Sequence, residues 1–106
     1  TVSVDAVSGT PLPAGGTGLA GIYPNPCNPT ARIRFHLAAS GPVRIDLFDV
    51  AGWRLRTLLD VSRGMGDHEV DFDGRDDQGA ALASGHYFCR MVAGSVTELK
   101  TVTLVR

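Results

Sequence analysis

The chain has 106 residues, a net charge of −1 and two cysteines. That length suits one domain with one core and little stability to spare. Nine arginines and one lysine interleave with eleven acids, so there is no basic footprint for nucleic acid, and no apolar run approaches the roughly 18 residues of a membrane span.

Thr1 stands where an initiator methionine would be, with no signal peptide after it. This reads as a processed product or as a domain of something longer. TVSVDAV (Thr1–Val7) alternates apolar and polar residues and is a candidate edge strand, for this domain or for a neighbouring copy. SGTPLPAGGTGLAG (Ser8–Gly21) is rich in Gly and Pro and reads as a linker.

YPNPCNP follows. Pro24, Pro26 and Pro29 forbid a helix, because proline fixes φ and lacks an N–H. The residues before them, Tyr23, Asn25 and Asn28, are pushed toward extended geometry. The segment is a stiff connector that delivers the chain into a strand.

Short strands come next. In ARIRFHL, Ile33, Phe35 and Leu37 share one face, and Arg32, Arg34 and His36 the other. Ser40–Pro42 is a turn. In VRIDLFDV, Val43, Ile45 and Leu47 point inward and Arg44 and Asp46 outward. Phe48 and Val50 then fall on the wrong parity, which a bulge or a strand buried on both sides would explain. Ala51–Gly52 turns the chain into WRLRTLLD. Ser62–Asp67 is a loop, and HEVDFDG places His68, Val70 and Phe72 on one face. RDDQGAALASG is a polar connection. HYFCRMVAG carries Tyr87, Cys89 and Met91 on one parity, and Ala93–Ser95 closes a hairpin into the last strand. Regular short strands with Gly-rich turns and no sustained helical period predict an all-β, antiparallel β-sandwich of about seven strands.

These segments, in order, resemble the Ig-like domain of flagellar hook-capping proteins. They equally resemble the C-terminal modules of many secreted bacterial proteins, including type IX secretion sorting domains. The family pattern has a YPNPFNP start, a YDV-x-G-R turn, a WDGRD-x-x-G loop, an SG-x-YF-x-R strand and a basic-apolar final strand. Here these are Tyr23–Pro29, the turn at Gly52, the Phe72–Asp73–Gly74 to Gly79 loop, the Gly85–Tyr87 strand start and KTVTLVR. The resemblance spans residues 19–106 and leaves 1–18 as a linker or accessory strand. Cys27 replaces the usual Phe, Phe72 replaces the usual Trp, and Trp53 sits where Arg or another polar residue is common. The resemblance implies an all-β, antiparallel Ig/fibronectin III-like β-sandwich of about seven strands, a non-catalytic C-terminal module of an exported bacterial protein, secreted or on the cell surface, for sorting or attachment. Its partners would be the parent polypeptide upstream or the export and surface machinery. The alternative is a structural subunit, a homo-oligomer that assembles through its N-terminal strand or edge contacts into a filament or larger complex.

Cys27 has one candidate partner, Cys89. A bridge would close a loop of about 60 residues and contribute on the order of 4 kcal/mol in the chain-entropy account. This bridge is the expectation, and two separate buried thiols are the alternative. The acidic run from Asp71 to Gly79 lacks the EF-hand spacing, since Gly74 and Leu82 fall at positions four and twelve from Asp71. It reads as a turn network in which Asp side chains cap N–H groups, with no metal and no cofactor expected. Three histidines on separate strands and the absence of GxSxG give no catalytic constellation. Tyr87, two residues before Cys89, has the spacing of a tyrosine corner. Trp53 is a candidate contact surface.

Overall fold

The computed structural model describes residues 16–106; the Thr1–Val7 strand candidate lies outside them. Seven strands run in order: β1 (Gly18–Tyr23), β2 (Ala31–Leu37), β3 (Gly41–Phe48), β4 (Arg54–Arg63), β5 (Gly66–Phe72), β6 (Gly85–Ala93) and β7 (Val96–Leu104). They form two antiparallel sheets, ordered β1-β2-β5 and β4-β3-β6-β7. The result is an all-β sandwich of the Ig-like kind.

Alternation explains the core. β2 buries Ile33, Phe35 and Leu37 and exposes Arg32 and Arg34. From the facing sheet come Val43, Ile45 and Leu47 of β3, Cys89 and Met91 of β6, and Val102 and Leu104 of β7, all essentially inaccessible. Each large aliphatic side chain buried this way stabilises by about 1.5–3 kcal/mol relative to exposure.

Three expectations need correction. First, Gly18–Gly21 is not linker. It pairs with β2, with a register shift between Leu19 and Gly21, and Leu19 is buried. A Gly-rich composition describes the free chain, but backbone pairing and one buried leucine are enough to order it. Second, the Ser62–Asp67 loop shrinks to a turn between Arg63 and Gly66, since β4 runs on to Arg63 and β5 starts at Gly66. Third, Asp46 does point outward yet is 1% exposed, because Arg44 and Thr57 close over it. The parity slip at Phe48 has its counterpart in β4. Register shifts fall between Ile45 and Asp46 and between Leu47 and Phe48, leaving Leu58 and Leu55 as the extra residues.

Candidate functional site

The proline-rich segment works as an edge cap. Asn25 Nδ2 donates to the carbonyl of Thr101 and its Oδ1 accepts from the N–H of Thr103, both at 3.0 Å. Cys27 continues the cap as a single parallel bridge: its N–H donates to Thr103 O and its carbonyl accepts from Val105 N, both at 2.8 Å. The prolines cannot donate to a ladder, so the side-chain amide of Asn25 replaces backbone along the β7 edge.

The Asp71–Gly79 run serves the opposite edge. Asp77 Oδ1 accepts from the N–H of Thr57 at 3.1 Å, the Asp77 N–H donates to Leu55 O at 3.1 Å, and Arg54 pairs with Asp77 at 2.6 Å. These bonds, the Arg54 contact foremost, hold the Asp77 carboxyl below its usual range. Asp73 pairs with Arg56 and accepts from Arg75 N; Asp76 accepts from Gln78 N and Ala80 N. Gly79 N closes the turn onto Asp76 O. Gly74 sits at φ +75°, and a β-carbon there would lie 2.9 Å from both Pro29 Cβ and Arg106 Nη2. Arg106 locks the loop by donating to Gly74 O and Leu82 O, each at 2.5 Å. Among the described residues no three His, Cys, Asp or Glu side chains are grouped to hold a metal.

The expected disulfide does not form; Cys27 and Cys89 are both free and buried. Register explains why. Cys27 bridges Leu104, which lies opposite Gly85, whereas Cys89 lies opposite Lys100. Four residues of strand, roughly 13 Å, separate the two levels, against the about 7 Å within which Cα atoms must approach. Burial pushes the Cys89 thiol up to about 12, with a smaller contribution from Asp46. Burial raises Cys27 as well. Neither is a nucleophile at neutral pH.

Tyr87 Oη donates to Ala83 O at 2.5 Å, tying β6 to the loop before it. Ser84 and His86 face different partners: Ser84 Oγ accepts from Arg106 N, and His86 Nδ1 meets Thr103 Oγ1 at 3.1 Å. Phe72 is buried and Gly85 opens β6, while Tyr23 is 77% exposed at the end of β1. Trp53 is 74% exposed and Val50 71%. They crown the β3–β4 hairpin, whose turn is held by Asp49 Oδ1 accepting from Ala51 N and Trp53 N. Gly52 takes φ +92° there.

One cluster was only partly signalled by the sequence. On the outer face of the four-stranded sheet, Asp46 accepts from Arg44 Nε at 2.8 Å and Thr57 Oγ1 at 2.7 Å, and the Arg90 guanidinium stacks 4.5 Å from the centre of the Phe48 ring. An acid in VRIDLFDV, flanked by Arg44, hints at a pair. Only the register brings Thr57 and Arg90 to it.

The sequence model of the FlgD Ig-like domain matches residues 28–96, well over half of the chain. The chain belongs to the FlgD Ig-like domain family. No curated protein sequence matches it. Among solved structures it is similar to dimeric latent PorU from Porphyromonas gingivalis, with TM-score 0.66, 17% identity, 85% of this chain and 9% of that one covered. It is also similar to PorZ of the same organism, described as an essential bacterial surface component of the type-IX secretion system, with TM-score 0.52, 20% identity, 84% of this chain and 12% of that one covered. At these identities the likeness concerns the fold, and the chain spans about a tenth of either protein's length.

Proposed function

We propose that this Ig-like domain is a non-catalytic module of an exported bacterial protein, serving sorting or cell-surface attachment. One observation carries the reading: nearly the whole chain superposes on a small part of two much longer proteins, one of them described as a type-IX surface component. By fold-level analogy, a domain that forms a minor share of such long chains would act for its parent polypeptide. The partners are that parent and the export or surface machinery. The side chains fit this role, since carboxylates, histidines and thiols are engaged in turns, edge caps and core rather than converging on a cleft.

The test fuses the 106-residue chain to the C-terminus of a periplasm-directed reporter, in a bacterium with type IX export and in a strain lacking it. Reporter at the surface of the competent strain alone is expected. Reporter held in the periplasm of both strains would overturn the sorting reading. Attachment is then tested separately, by adding the purified chain to cells and measuring whether it is retained.

A further inference from the structure

Four strands form the edges of the two sheets, and three of them carry dedicated guards. β7 is capped by Asn25 and Cys27, and β4 by Asp77. On β1 the Leu19 N–H is taken by Glu98 Oε1 at 2.7 Å. β5 pairs with β2 along its full length, Gly66 to Phe72. Among the described residues nothing bonds to the backbone of its outer edge. An uncovered seven-residue edge is what sandwich proteins normally block.

Two further observations say what would fill it. The outer face of β5 is a row of acids, Asp67, Glu69 and Asp71, whose side chains are 92%, 38% and 82% exposed. Each has a basic partner on the β2 side (His36, Arg34 and Arg32), and their other flank is free to accept. Below the same edge lies β4, the one strand of its sheet with no fully buried residue. Leu55, Leu58 and Leu59 only partly reach the core, and Val61 is 40% exposed although it pairs with the buried Val43. β5 is the strand of the other sheet that meets β4, and that sheet is one strand shorter.

We propose that the β5 edge is a strand-addition site for an extended segment of a partner protein, with Lys or Arg at alternating positions and apolar residues between them. Its main chain continues the β1-β2-β5 sheet. Its basic side chains stand beside Asp67, Glu69 and Asp71. Its apolar side chains cover Leu58, Leu59 and Val61. Hydrogen bonds of the main chain supply affinity and the alternate side chains supply specificity. The Thr1–Val7 segment does not fit this chemistry: it has no basic residue and would set Asp5 near the acidic row.

The probe is a seven-residue peptide of alternating lysine and valine, titrated into the isotope-labelled 106-residue chain and followed by amide chemical shifts. Shifts confined to β5 and the inner side of β4 are expected, with slowed exchange of β5 amides. A matched glutamate–valine peptide and a lysine–valine peptide N-methylated at alternate amides are expected not to bind. Asp67→Lys with Asp71→Lys, two exposed positions, is expected to weaken binding roughly three- to tenfold. The proposal is overturned by shifts elsewhere on the domain, by equal binding of either control peptide, or by unchanged affinity in the double variant. It is also overturned if the outward-facing β5 amides, those not bonded to β2, are already protected in the free chain, whether by its own N-terminal segment or by a second copy. Should the double variant misfold, the N-methylated peptide alone still decides.

Discussion

The side-chain amide of Asn25 bonds the β7 main chain on both sides of Val102, accepting from Thr103 N–H and donating to Thr101 O, each at 3.0 Å. It acts as one residue of a strand that the prolines around it cannot form. Asn25→Ala removes both bonds and leaves two edge groups to water. A loss of about 1–2 kcal/mol is expected, read as a lower urea midpoint with an unchanged m-value. Wild-type stability in this variant would show that Cys27 alone holds the edge.

Acid should loosen the loop that guards β4. The Arg54 and Thr57 contacts depress Asp77 below its ordinary 3.8, and Arg34 depresses Glu69 below its ordinary 4.5. A depressed carboxyl contributes stability at pH values above its unfolded value and loses it as pH falls through the folded one. Stability is therefore expected to be flat from neutral pH to about 4.5 and to fall progressively below. Asp77→Asn should flatten part of that fall. Urea unfolding across the acid range checks both, and an identical slope in the variant would sink the assignment.

The thiols should be silent in the folded chain and free in the unfolded one. A thiol reagent is expected to modify neither Cys27 nor Cys89 until denaturant is added, then both, without prior reduction. Reductant should leave the melting temperature unchanged. Both thiols sit above their ordinary 9.0 when folded. The unfolded chain therefore ionises first as pH rises past 9, and stability should decline from there. A mass two units below the thiol form (loss of two hydrogens) would restore the disulfide.

Gly74 is the loop position least able to change. Its φ of +75° disfavours a side chain, and a β-carbon would press on Pro29 and Arg106 at 2.9 Å. Gly74→Ala should cost on the order of 1–3 kcal/mol. Gly79→Ala, equally left-handed but with open space around the added carbon, should cost less. Thermal melts of the two variants give the comparison; equal losses would mean that the contact with Pro29 and Arg106 is immaterial.

Local pattern was enough for the strands and their inward faces. Period-two alternation in ARIRFHL and HYFCRMVAG is a property of neighbouring residues, and it correctly set Phe35, Leu37, Tyr87 and Met91 toward the core. Turn chemistry was equally local: aspartates followed by glycine cap their own N–H groups wherever the chain goes. The family resemblance rested on those same short motifs.

Pairing across sheets was not legible, because it depends on register between residues far apart in the chain. Cys27 and Cys89 looked like partners by elimination, and a four-residue offset along β7 keeps them apart. Asp46 looked like a solvated outward residue, and the β3–β4 and β3–β6 registers bury it beneath Arg44, Thr57 and Arg90. Gly18–Gly21 looked like linker until β2 supplied its hydrogen bonds. What the sequence by itself determined, then, was the kind of element and the face each one hides, since neighbours decide those. The tertiary structure alone decided which edges are capped and which polar groups are buried, since each depends on the level at which distant strands meet.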